Sequence, residues 1–259
     1  MARTQRDDRR RLSQNFLIDP ATARWVVRTA RVGPEDLVLE VGPGDGALTR
    51  FLTRTAGRVI AHELDPRLVA RLVARYRDRE PDLRVVHGDF TRSRPPRSPF
   101  AVVGNIPYAR TSDIVRWCLD ARHLTSATLI TQLEYARKRT GAYGRWSKVT
   151  VLSWPERSWT LAGRIDRGRF RPVPRVDAGV LVLRARTTPL LTPEYLDAYR
   201  RLVALGFGGV GGSLSASLRR AHRARRVDRA LTAAGVASPT PVGWVTPDQW
   251  VTLTRVLAD

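Results

Sequence analysis

Residues 105–108 read Asn-Ile-Pro-Tyr and follow an apolar run, Phe-Ala-Val-Val-Gly, at positions 100–104. An asparagine side-chain oxygen and a nearby backbone carbonyl can both accept hydrogen bonds from one NH2 group. Proline stiffens the backbone so that the two acceptors stay aimed, and the tyrosine after it offers a face on which a base can stack. The exocyclic amine of a base is a poor nucleophile, because its lone pair is delocalised into the ring. Two well-placed acceptors favour the pyramidal nitrogen and stabilise the positive charge that grows as it attacks an electrophilic methyl group. No strong general base is needed, since the proton becomes acidic once the methyl has transferred. Asn105, Ile106, Pro107 and Tyr108 are therefore the candidate catalytic residues.

The methyl donor must bind nearby. Glu40-Val41-Gly42-Pro43-Gly44-Asp45-Gly46 has the form of a strand running into a glycine turn, where the backbone can approach a ligand and a helix N-terminus adds donors. Glu63 lies 21 residues after Gly42, at the end of the next strand pattern, where a carboxylate can accept from two vicinal ribose hydroxyls. The glycine spacing is GxGxG rather than GxGxxG, and the loop has no phosphate-binding lysine. Both features argue against NAD and ATP, and the acidic Asp45 would repel a pyrophosphate. A nucleoside cofactor without phosphates remains, and S-adenosylmethionine fits best. His87-Gly88-Asp89-Phe90 ends a third strand pattern; Asp89 can accept from an adenine amine there, with Phe90 beside the ring. A plain Gly-Asp turn is the alternative for that tetrapeptide.

These residues sit on short apolar strand patterns separated by helical stretches of roughly 10–15 residues, which predicts parallel βαβ units and a doubly wound α/β sheet. A helix is expected from Asp19-Pro20, cap and first position. LTSATLITQLEYARKR supplies a fifth strand and a helix, and strands near 157–165 and 177–183 are expected to form an antiparallel edge. From residue 185 the pattern changes to short helices over 193–206, 213–220, 227–234 and 247–257. The expected division is a catalytic domain of residues 1–184 and a small all-helical domain of residues 185–259. Cys118 and tryptophans 25, 117, 154 and 159 read as core, and Trp244 and Trp250 as packing for the helical domain.

Composition narrows the partners. Lys plus Arg total 45 against 24 Asp plus Glu, a formal charge of +21. A GC-rich genome explains arginine over lysine but not basic over acidic, so a polyanion, and specifically nucleic acid, is the expected partner. Arg9, Arg10, Arg11, Arg219, Arg220, Arg223, Arg225 and Arg226 are the candidate RNA contacts; a solvated helix face is the alternative for the second group. One cysteine and four scattered histidines give no metal site and no disulfide framework. No apolar run approaches the length of a membrane span, and the charged N-terminal stretch lacks a signal-peptide core. A cytoplasmic protein is expected.

LSQNFLIDP, LEVGPGDGALT, HELD, HGDF, NIPY and FRPVPRVD occur in that order over residues 12–178. In these motifs the chain resembles the rRNA adenine N6-methyltransferases, and within them the erythromycin-resistance (Erm) branch, actinomycete-like in its GFGGVGGSLSASLRR and TPDQW segments. The resemblance implies a Rossmann-like class I S-adenosylmethionine-dependent methyltransferase sheet with a helical rRNA-binding domain. It implies a cofactor site lined by Gln14, Asn15, Leu17, Gly42, Gly44, Glu63, Leu64, Asp89, Phe90 and Asn105, with Ile106 adjacent. It also implies that Tyr108 and Phe170 sandwich a target adenine flipped out of its stack. The implied partner is 23S rRNA, naked or pre-ribosomal, met by a monomer; its N6-methylation gives resistance to macrolide, lincosamide and streptogramin B antibiotics. The competing readings are a small-subunit rRNA dimethyltransferase, a DNA adenine methyltransferase, and a non-catalytic nucleic-acid-binding relative. The first usually carries Asn-Leu-Pro-Tyr, the second Asp or Asn before Pro-Pro-Tyr. The intact Glu63, Asp89 and Asn-Ile-Pro-Tyr set argues against the third.

Overall fold

The computed structural model describes residues 15–77, 80, 82–209 and 212–258. They fall into two compact units, Met1–Ala136 with Thr160–Arg184, and Arg137–Trp159 with Ala185–Asp259.

The first unit is built on a seven-stranded sheet. Its strands are β2 (Leu37–Val41), β3 (Arg58–Glu63), β4 (Leu83–His87), β5 (Phe100–Asn105), β6 (Leu124–Gln132), β7 (Arg157–Ile165) and β9 (Ala178–Ala185), in the order β4-β3-β2-β5-β6-β9-β7. β1 (Phe16–Leu17) and β8 (Phe170–Arg171) form a separate antiparallel pair. The central strands β2 and β5 are nearly continuous apolar runs because helices cover both faces of the sheet. The pairs β2–β3, β3–β4, β2–β5 and β5–β6 are parallel. β9 runs antiparallel to β6, with Ile130 opposite Val180, so the later strand inserts between β6 and β7, which takes the edge.

Successive strands step outward from β2 to β3 to β4, and the chain then returns to place β5 on the other side of β2. That reversal opens a crevice beyond the carboxyl ends of β2 and β5, where ligands bind in open α/β sheets. The first of the helices that feed this edge begins as the sequence predicts. α1 (Pro20–Ala30) has proline at its first position, and Asp19 accepts from the Thr22 amide. The helix after the glycine loop, α2 (Thr49–Leu52), has only four residues. α3 (Pro66–Tyr76) is capped by Asp65, which accepts from the Arg67 amide. α4 (Thr111–Asp120) buries Cys118 and Trp117 as expected.

The second unit packs α6 (Lys148–Ser153), α7 (Pro193–Phe207), α8 (Leu214–Leu218), α9 (Ala224–Ala233) and α10 (Pro247–Ala258) around Tyr199, Leu202, Leu214 and Trp250. This unit takes in Arg137–Trp159 as well as Ala185–Asp259, whereas the expected division placed residues 137–159 in the catalytic domain. Two long-range bonds explain why. The Tyr199 hydroxyl donates to the Val151 carbonyl at 2.6 Å, and the Trp154 indole donates to Asp248 at 2.8 Å. Trp250 is fully buried, but Trp244 is 52% exposed and does not pack the helical core.

Candidate functional site

Adjacent strands deliver their ends to one place. The loop after β2 turns through Gly42, Gly44 and Gly46, all at positive φ, a conformation that residues with a Cβ adopt at a cost. A Cβ on Gly44 would stand 2.9 Å from the Phe16 ring, so glycine there also lets the loop close under that side chain. Glu63 ends β3 and is 2% exposed. Its Oε2 accepts from the Gly44 amide at 3.1 Å, and its Oε1 from the amides of Leu64 (2.8 Å) and Asp65 (3.0 Å). Burial raises the Glu63 pKa despite these bonds. Glu40, buried in β2, has no hydrogen bond of ordinary geometry to either oxygen. Burial pushes its pKa up to about 8, so the two carboxyls do not share two full charges under the loop at neutral pH.

Asn105 ends β5. Its Nδ2 donates to the Asn15 carbonyl at 2.7 Å. A carbonyl oxygen can only accept, so this contact fixes which end of the amide is nitrogen and leaves Oδ1 as the acceptor. The Asn15 carbonyl is held there by β1, where Phe16 pairs with Arg171 and Leu17 with Phe170, helped by an Arg169–Asp19 ion pair at 3.3 Å.

Asp89 follows β4 and is partly buried. Its Oδ1 accepts from the Thr91 amide and hydroxyl at 2.9 and 2.7 Å. Arg110 reaches its Oδ2 at 3.2 Å while also donating to Asp113 at 3.1 Å. Desolvation alone would raise the Asp89 pKa, but the Thr91 bonds and the Arg110 charge outweigh it and hold the carboxyl below its usual value. Tyr108 is partly buried, and burial, with the nearby Asp177 charge adding to it, pushes its pKa up to about 12. Its hydroxyl has no hydrogen-bond partner.

These groups line one cavity of about 200 Å³. Asn15, Leu17, Gly42, Gly44, Glu63, Leu64, Asp89, Phe90, Asn105, Ile106, Pro107 and Tyr108 all border it. Gln14 lies outside the described residues, as do Arg9, Arg10 and Arg11. Phe170 requires a correction: it does not line the cavity and is 0% exposed. Its pairing with Leu17 draws the ring into the core beside Val26, Val103 and Ile130, which removes it from the expected sandwich. The sequence reading missed Phe16, His62 and Arg110, which also border the cavity. Arg110 stands two residues after Tyr108, and the signal was a cation following β5 that could meet the acid following β4, the preceding strand in the chain.

The arginine group in the second unit also divides. Arg219 donates to Asp228 at 2.6 Å. Arg226 donates to the Val256 and Leu257 carbonyls at 3.4 and 3.2 Å, satisfying groups at the C-terminal end of α10. Arg220, Arg223 and Arg225 are exposed.

The model of the family "Ribosomal RNA adenine dimethylase" matches residues 5–259. The chain belongs to that family. Among the family's proteins, it is 54% identical over 250 residues to the rRNA adenine N-6-methyltransferase of Streptomyces fradiae, covering 96% of this chain and 78% of that one. It is 38% identical over 220 residues to the mycinamicin-resistance protein MyrB of Micromonospora griseorubida, covering 85% and 70% of the two chains. The crystal structure of the 23S rRNA methyltransferase ErmE superposes with a TM-score of 0.92 at 46% identity, covering 95% of this chain and all of that one. This member of the family is of the Erm type, and its cofactor is S-adenosylmethionine.

The cavity suits that cofactor. Glu63, Asp89 and the Asn105 oxygen are all acceptors, matched to a nucleoside that presents hydroxyls and an amine and carries a positive sulfonium. Arg110, the cation that borders the cavity, is ion-paired to Asp89 and Asp113 rather than arranged as a phosphate cradle.

Proposed function

We propose that this chain methylates N6 of an adenine in 23S rRNA and thereby gives resistance to macrolide, lincosamide and streptogramin B antibiotics. The observation that carries the reading is the Asn105 amide, oriented by the Asn15 carbonyl so that its oxygen serves as an acceptor at the cavity. When bound, S-adenosylmethionine supplies an electrophilic methyl group on sulfur. Glu63 would hold the ribose hydroxyls, Asp89 the adenine amine of the cofactor, and the Gly42–Gly44 backbone the remaining chain. Tyr108 offers its ring to the target base, and Pro107 stiffens the turn between the ring and the acceptor.

Asn105 Oδ1 accepts from the target amine, localises its lone pair and stabilises the positive charge that develops on nitrogen. The alkylated nitrogen is acidic enough to lose its proton without a dedicated base. The target adenine must leave its stack for the amine to reach this acceptor. The chain acts as a monomer in the cytoplasm, on naked or pre-ribosomal RNA. Among the described residues no helix is long and apolar enough to cross a membrane, and the charge of +21 suits RNA as a partner. The methyltransferase role belongs to the first unit and RNA capture to the second.

Mass spectrometry of rRNA from a susceptible host expressing the protein tests this reading. The expected result is N6-methylated adenine in 23S rRNA, with the methyl count read from the mass, together with macrolide resistance. A modified adenine in 16S rRNA alone would refute it.

A further inference from the structure

In the second unit two large aromatic side chains stand at the surface. Tyr143 is 49% exposed and Trp244 is 52% exposed. Their position is built rather than incidental. The loop from α5 (Leu133–Arg139) to α6 turns on Gly141 and Gly144, both at positive φ, and a Cβ on Gly141 would run into the Trp146 ring. Trp146 in turn packs edge-on against Trp154, with ring centroids 5.7 Å apart. The Trp146 amide donates to the carbonyl of Gly243 at 2.7 Å, which ties this loop to the turn that presents Trp244.

Cations flank both rings. The Arg145 guanidinium lies 5.5 Å from the centroid of the Trp244 ring, and that of Arg137 lies 5.9 Å from the centroid of Tyr143. From Tyr135 to Pro155 the chain carries Arg137, Lys138, Arg139, Arg145 and Lys148 and no carboxylate, and it places both of its lysines here. Lys138, Arg145 and Lys148 are exposed. Two half-exposed rings, Tyr143 within that basic segment and Trp244 on the turn tied to it, are a poor surface for water and a good one for nucleic acid. Bases cover the aromatic area while phosphates meet the cations. An acidic protein would meet the same cations but leaves the pair of flat rings without a purpose.

We propose that Tyr143 and Trp244 form a stacking platform for unpaired bases of the rRNA substrate, with Arg145, Lys138 and Lys148 on its phosphates. The proposal rests on the rRNA reading of the chain and adds a docking surface separate from the 219–226 arginine group.

The test compares the wild type with Tyr143→Ala, Trp244→Ala and the double variant. Equilibrium binding to a 23S rRNA fragment is read apart from methyl transfer, with S-adenosylmethionine affinity and thermal melting as controls. The expected result is a rise of about tenfold or more in RNA Kd and KM for the double variant, with kcat, cofactor affinity and melting unchanged. Tyr143→Phe and Trp244→Phe, which keep a ring, should bind near wild type. Alanine variants that bind the fragment as tightly as the wild type would overturn the platform, as would phenylalanine variants that lose as much affinity as alanine. A wild type whose binding depends on the two rings but that methylates no 23S rRNA would uphold the platform and refute the enzymatic reading instead.

Discussion

Asn105 Nδ2 spends its donor on the Asn15 carbonyl, which leaves the oxygen at the other end of the amide as the acceptor on which the proposed role rests. Asn105→Ala removes that acceptor without opening the glycine loop or touching Glu63. Single-turnover transfer from labelled S-adenosylmethionine should fall by about 10²-fold or more, while cofactor affinity, read by calorimetry, falls only a few-fold. A variant with full transfer would end the amine-holding role. Glu63 makes a pH prediction with a definite sign. In the proposed role its carboxylate accepts from ribose hydroxyls, an interaction that protonation weakens, and burial raises its pKa above the ordinary 4.5. Cofactor affinity should therefore be intact at neutral pH and weaken as pH falls, beginning above 4.5. Asp89, held below its usual value, cannot account for a loss in that range. An affinity that stays flat down to pH 4.5 would contradict the assignment, and Glu63→Gln should bind weakly with no such pH dependence.

At the scale of elements, the glycine loop and the β1–β8 pair work together, because the Phe16 ring of β1 covers Gly44. Gly44→Ala combines a backbone at φ +57° with a Cβ pressed on that ring. The left-handed conformation alone costs about 1–2 kcal/mol, so S-adenosylmethionine affinity should drop roughly tenfold or more while RNA affinity stays near wild type. Calorimetry with cofactor and filter binding with RNA separate the two effects, and unchanged cofactor affinity would show that the loop tolerates a side chain. Strand endings were legible from single segments, since Glu63, Asp89 and Asn105 each close an apolar run. Phe170 was not legible in the same way. Its neighbours Arg171 and Pro172 suggest an exposed loop, but two-residue pairing with Leu17, far off in sequence, pulls its ring into the core.

For the whole molecule, the charge of +21 makes a claim about affinity rather than fold. RNA binding should release counterions, so log Kd should rise linearly with log salt, with a slope that reflects several phosphate contacts. Titrations of a 23S rRNA fragment between about 50 and 200 mM salt measure it, and a flat response would remove the arginine and lysine surfaces as the binding face. Arg220, Arg223 and Arg225 should contribute to that slope. Arg219 and Arg226 should not, because Asp228 and the end of α10 already hold them.

The sequence alone determined the alternation of strands and helices, the cofactor class, and the acceptors at the strand ends. Each depends on residues close together in the chain, where apolar periodicity and turn chemistry act. Only the tertiary structure decided which partner each side chain meets: Asn15 for Asn105, Arg110 for Asp89, Leu17 for Phe170, and Arg145 for an exposed Trp244. It also moved residues 137–159 into the second unit. Such choices depend on contacts between segments distant in the chain. There, burial and hydrogen-bond satisfaction are settled by packing, which no local pattern encodes.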